Sequence, residues 1–146
     1  MRYITYILLT AFVSLLMASC ELEASSHGNL YGFWHLETIE TIESGSTKDM
    51  RDELKFWSVQ SKLIELSDHD GVHNSVLYHF QREGDSLFLF DPHFNLREES
   101  DPVVDELYRV QPYGLAKLLP RLRIDHLTSG ELTVSGDGQR LKFTKF

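Results

Sequence analysis

Cysteine, proline and positive charge are all scarce in this chain, and each scarcity excludes something. The single cysteine, Cys20, rules out an intrachain disulfide and removes the paired thiols of a cysteine-based zinc site, so stability must come from burial. There are four prolines, and three of them, Pro92, Pro102 and Pro112, fall in one stretch, which leaves the rest of the chain free for uninterrupted strands. Lys and Arg number 14 against 22 Asp and Glu, a formal charge of -8, and the bases are scattered among carboxylates. Such a chain has no basic face for phosphates, which excludes a nucleic-acid role. Also missing are a Gly-x-Ser-x-Gly elbow, a His-Glu-x-x-His pair and a phosphate-cradling glycine loop, so the chain reads as a non-enzyme without a cofactor. What is present, 146 residues with 42% hydrophobic and 25% charged positions, suits one globular domain.

The first 19 residues have the order of a secretory signal: one cation at Arg2, the apolar run "YITYILLTAFVSLLM", and the small pair Ala18 and Ser19. The run is shorter than the roughly 20 residues a spanning helix needs. The stretch "LLMASC", Leu15 to Cys20, resembles the lipobox of bacterial lipoproteins, with Met17 where Leu is commonest in that motif and Leu16, Ala18, Ser19 and Cys20 as the motif has them. That resemblance implies a diacylglyceryl group on the Cys20 thiol, cleavage before it, and a further acyl chain on the freed amine. One chain holds a protein to a bilayer marginally and two or more hold it firmly. The expectation is therefore a signal peptide over residues 1–19, a polar tether over 20–29, and a folded domain over 30–146. Cys20 would place the protein in the bacterial cell envelope, at the outer membrane.

From Leu30 onward, short apolar alternations separated by turn residues predict an all-β meander. In "YGFWHLETIETIE", Trp34 and Leu36 share one face, and the apolar parity then moves to Ile39 and Ile42, which predicts a bulge or bend. "SGSTKDMRDE" reads as a loop. "FWSVQSKLIEL" reads as strand, with a helix over 49–63 as the alternative. "VHNSVLYHFQ" and "SLFLFD" read as strands joined by a hairpin at "REGD", the second apolar on both faces. The proline-bearing stretch after Asp91 is irregular. Asp101 and Pro102 predict a short helix over 103–107, and "GLAKLLP" predicts another helical turn. Alternation then returns in "RLRIDHL", "ELTVS" and "RLKFTKF". Seven or eight strands are the number that can close a small barrel, with one or two short helices beside them.

With the strands placed, "GFWHL" gains meaning. Gly32, Phe33 and Trp34 match the Gly-x-Trp that opens the first barrel strand of lipocalins, and the domain resembles the small lipocalin-like lipoproteins of Gram-negative bacteria. The resemblance implies an antiparallel up-and-down barrel in which Trp34 packs across the closed end beneath a basic residue of the last strand, here Arg140 or Lys142. A second lipocalin signature, Thr-Asp-Tyr on a later loop, is absent. The resemblance also implies a small apolar or amphipathic ligand inside the barrel. Trp57, Tyr78, Phe80, Phe88, Phe90, Tyr113 and His126 are the candidate lining, with Tyr108 as a further aromatic. The same bulk could fill the barrel, leaving an interaction module or inhibitor that acts through the loop over 91–115.

Among the seven histidines, His69 and His73 flank a turn with Asp68 and Asp70, and turn chemistry explains that stretch without a metal. His126 shares the parity of Leu122 and Ile124 and is expected to face inward, satisfied by a neighbour or touching a guest.

Overall fold

The structure, a computed structural model, describes residues 27–96 and 102–146. The expected signal peptide, Cys20, most of the tether and Asp101 lie outside the described residues. Nine strand segments run in order: β1 (Gly32–Thr41), β2 (Ser46–Asp49), β3 (Lys55–Gln60), β4 (Leu63–Asp68), β5 (Val76–Glu83), β6 (Ser86–Phe94), β7 (Arg121–Leu127), β8 (Glu131–Gly136) and β9 (Gln139–Lys145). Neighbours pair antiparallel, and β1 also pairs with β9, so the sheet closes on itself.

The registers show how many strands the ring holds. β9 occupies one edge of β1 from Trp34 to Thr41. On the other edge β3 pairs with Gly32 to His35 and β2 with Thr38 to Thr41, so β2 and β3 share one position. Between them the chain leaves the sheet to bury Met50, whose amide donates to the Glu37 carbonyl at 2.8 Å. Eight positions result, the size at which side chains can fill the interior. β2 is fully exposed and wholly polar, so the expected loop there is instead a strand that no apolar period announces.

Three register shifts decide which side chains face inward. On β1 the shift falls between Leu36 and Thr38, where the change of apolar parity predicts it; Trp34 and Leu36 are buried and Ile39 packs against the core. On the β5–β6 pair it places Asp91 at φ 56°. On β7 it falls between Ile124 and His126, so Ile124 points inward and His126 is exposed.

The core runs the length of the barrel: Trp34, Leu36, Trp57, Ile64, Leu66, Tyr78, Leu87, Leu89, Val134 and Phe143 are among its buried members. A 3₁₀ turn at Gly28–Leu30 covers one end, with Leu30 buried. The covered end thus begins inside the stretch expected to be tether. At the other end the β6–β7 connection turns back into the barrel. Its first part lies beside the half of β6 that β7 does not reach, through Phe94 N–H to the Pro102 carbonyl and Val104 N–H to the Pro92 carbonyl, both 2.9 Å. The expected helix over 103–107 is therefore replaced by extended chain with an isolated bridge at Val103. Short 3₁₀ turns follow at Leu107–Arg109 and Gln111–Tyr113, and the second expected helical turn, "GLAKLLP", is irregular apart from bends.

Candidate functional site

At the covered end Trp34 is fully buried, and its indole N–H donates to the Leu30 carbonyl at 2.8 Å. The cation above its ring is Lys145, with Nζ 4.6 Å from the ring centroid. The same ammonium donates to the carbonyls of Asn29 (3.0 Å) and Tyr31 (2.9 Å), which ties the last strand to the first turn. Arg140 and Lys142 do not fill this place. Arg140 binds the Glu40 carboxylate at 3.0 and 3.1 Å, and Lys142 is exposed. Strand parity is the reason: Lys145 shares the inward face of Leu141 and Phe143, whereas 140 and 142 lie on the other. Gly32 has φ 138° and a Cβ built there would lie 3.0 Å from Lys145 Cε, so the glycine lets that side chain pass.

The interior is filled. Trp57, Tyr78 and Tyr113 are each at most 1% exposed and pack with Val110 and Leu115 from the returning connection. Three bonds hold this plug: Trp57 Nε1–H to the Tyr113 carbonyl (3.1 Å), Tyr113 O–H to the Asn74 carbonyl (3.0 Å), and Tyr78 O–H to the Leu118 carbonyl (2.8 Å). Burial pushes both phenols well above their ordinary pKa, so they stay protonated donors. Gly114, at φ 88°, brings the plug so close to Leu141 that an added Cβ would lie 2.7 Å from its Cδ2.

The other expected lining residues go elsewhere. Leu87 and Leu89 take the inward positions of β6, leaving Phe88 and Phe90 half-buried on the outside, stacked at 5.5 Å with the Arg121 guanidinium over Phe88. His126 sits outside beside Glu131, at 3.4 Å. Tyr108 is exposed, under the Arg109 guanidinium. Phe80, by contrast, keeps the inward parity of Val76 and Tyr78 and belongs to the core as expected, and with the outward Phe90 it borders a concave surface at the end of β5. It is a groove of about 530 Å³ shared with His27, Ser61, Lys62, Gln81 and Arg82. It forms because β5 runs on past β4. The β4–β5 register ends at the Leu63–His79 pair, with one more bond from Phe80 N–H to the Lys62 carbonyl, while β5 continues to Glu83. His27 lies over the Phe80 ring (4.8 Å between centroids), and Arg82 holds it by donating to its carbonyl at 3.1 Å.

A second polar assembly lies at the plugged end. Lys55, only 3% exposed, reaches Asp68 Oδ1 at 3.1 Å and Asp70 Oδ2 at 3.2 Å. Asp68 Oδ2 accepts from His73 Nδ1 at 2.8 Å and from the His73 amide at 3.0 Å. Burial alone would raise the Asp68 pKa, but the bonds from His73 and Lys55 outweigh it and hold it at about 2. His69 turns away onto Phe33 and Phe56, so the two histidines of the turn do not converge. Among the described residues no group of three or more His, Cys, Asp or Glu is placed to hold a metal ion. Sequence reasoning missed Lys62, Arg82, His27, Lys55 and Lys145. Of these only Lys145 carried a signal, its parity with Leu141 and Phe143.

Comparison with known proteins places this geometry. A crystal structure of a lipocalin-like protein from Bacteroides uniformis superposes with a TM-score of 0.61 at 18% identity, covering 82% of this chain and 100% of that one. An uncharacterized protein from Bacteroides eggerthii gives 0.55 at 13% identity, covering 80% and 98%. No protein of curated function matches the sequence. These likenesses concern the barrel, and the sequence carries the relationship further. The profile of the lipocalin-like domain matches residues 15–146, which takes in every strand of the closed ring, and the chain belongs to that family.

Proposed function

We propose that this is a lipid-anchored lipoprotein of the bacterial cell envelope, tethered to the outer membrane through Cys20, that binds one small apolar or amphipathic molecule. It acts by binding and has no catalytic role. The signal-like first 19 residues and the lipobox-like "LLMASC" support the anchor. The observation that carries the binding reading is the groove lined by Phe80 and Phe90, whose volume of about 530 Å³ lies within the usual range for ligand clefts. Among the described residues Trp57, Tyr78 and Tyr113 fill the barrel axis, so the guest sits in the wall beside the tether. His27 lines the groove seven residues after Cys20, so at most about 25 Å of extended chain separates it from the lipid.

Two measurements test this. Metabolic labelling with a clickable fatty acid is expected to mark the wild type and not Cys20→Ala; an unlabelled wild type removes the anchor. Native mass spectrometry of the mature chain is expected to show a co-purified small molecule that Phe90→Glu loses.

One observation favours a second reading, a protein-interaction module. The outer side of the plug exposes Val103 (63%), Tyr108 (54%) and Leu119 (53%), in and just beyond the 91–115 region. A protein partner in the same spectra, lost in Tyr108→Asp and retained in Phe90→Glu, would transfer the function to that surface.

A further inference from the structure

The length of the tether decides which end of the barrel meets the bilayer. His27 lies at the covered end, where Arg82 donates to its carbonyl at 3.1 Å and Lys145 Nζ donates to the carbonyls of Asn29 and Tyr31 at 3.0 and 2.9 Å. From there to Cys20 the chain reaches about 25 Å fully extended and roughly 15 Å as a coil. β1, with ten residues, is roughly 30 Å long, or more than about 20 Å along the axis of a tilted barrel, and the β1–β2 turn lies beyond its far end. A relaxed tether cannot bring that far end to the surface that holds its lipid. The covered end also carries Phe146, at 85% the most exposed large hydrophobic side chain among the described residues. Its amide donates to the Phe33 carbonyl at 2.8 Å, and its ring rests edge-on against Phe33 (5.9 Å) and Phe56 (5.6 Å), which themselves stack at 4.5 Å. This backing fixes the ring and leaves most of it in water. The next most exposed, Val72 at 74%, lies in the β4–β5 connection at the plugged end.

We propose that the covered end is a membrane-docking surface: Phe146 enters the lipid headgroup region, and the barrel stands on the bilayer with the outer side of its plug turned away. The inference rests on the lipid anchor. A ring already held by two others loses little freedom on insertion, and its transfer from water favours contact about tenfold. A short tether presents the domain to the surface at an effective concentration on the order of millimolar, so a contact too weak to recruit the free protein still holds the tethered one.

The test uses the mature chain, residues 20–146, coupled through its single thiol at Cys20 to a maleimide-bearing lipid in vesicles of phosphatidylethanolamine and phosphatidylglycerol. Chemical coupling supplies the anchor whether or not the cell does, so fatty-acid labelling and docking fail independently. Tryptophan is introduced at one position at a time, as Phe146→Trp, Gln60→Trp or Val72→Trp, and its quenching by a nitroxide lipid labelled near the headgroup is measured. Trp34 and Trp57, both buried, give a constant background. Positions 146 and 60, the second at the covered end of β3, are expected to be quenched, and position 72 is not. Adding Phe146→Ser should lower the quenching at position 60 severalfold and leave the melting temperature close to where it was, because the side chain is exposed. Equal quenching at 146 and 72, or quenching at neither, overturns the docked orientation, and quenching at 72 alone reverses it. Quenching at 60 that Phe146→Ser leaves unchanged overturns the role of the ring.

Discussion

Replacing Tyr113 with alanine is expected to destabilise the protein by about 4 kcal/mol, as removal of a fully buried aromatic ring usually does. Tyr113 is the largest fully buried residue of the plug. Its ring is fully buried, its hydroxyl anchors Asn74, and its carbonyl receives the Trp57 indole N–H. The backbone bond survives truncation, so the loss comes from the vacated volume and the orphaned Asn74 carbonyl. Urea unfolding followed by tryptophan fluorescence, with Trp57 as the adjacent reporter, should show a lowered midpoint at unchanged slope. The emptied barrel should also take up benzene or xenon, as dry apolar cavities do, and the wild type should not. A loss below about 1 kcal/mol with no uptake would mean that the ring does not fill the axis.

The second large effect is expected from Lys55→Met, at about 3 kcal/mol. Lys55 and the Asp68 carboxylate face each other at 3.1 Å with both side chains nearly inaccessible. Removing the cation strands a buried anion, which costs more than the pair was worth. Made in an Asp68→Asn background, the same substitution should cost about 1 kcal/mol, because no charge is then stranded. Equal costs in both backgrounds would falsify the coupling. The pair also sets an acid limit. The folded-state pKa of Asp68, about 2, lies below its ordinary 3.8, so its contribution is complete above about pH 4 and is lost as pH falls through 2. That contribution is about 2 kcal/mol, and Lys55→Met should show a shallower acid limb because the carboxylate then titrates higher.

Period-two alternation made most of the ring legible. In β8 the apolar residues share one parity and that parity is buried, in β5 Val76, Tyr78 and Phe80 do the same, and in β1 even the bulge announced itself as a parity change. Legibility failed where alternation carried no information. β6 is apolar on both faces, so nothing in "SLFLF" separates Leu87 and Leu89, which face inward, from Phe88 and Phe90, which do not. β2 is polar on both faces and reads as loop for the same reason. On β7 the shift before His126 is invisible because Asp125, the extra residue, looks like any outward position. The plug is a tertiary feature: Val110, Tyr113 and Leu115 lie among prolines and glycines, and only the space left by the ring turns that segment inward. The groove was legible only in part. Phe80 and Phe90 stood out as aromatics, but Lys62 and Arg82 border the same groove because β5 outruns β4, a difference of strand length that hydropathy does not encode.

The seam between β1 and β9 also governs when the fold can arise. It joins residues as far apart as Glu40 and Arg140, one hundred positions along the chain, so no early portion emerging from a ribosome can complete the ring. Distant pairings of this kind assemble late and slowly. Until Lys145 arrives to seat on Trp34, β1 keeps one unpaired edge and the ring stays open. The final strand thus acts as a clasp, and deleting it is expected to leave a chain that never locks into a closed ring.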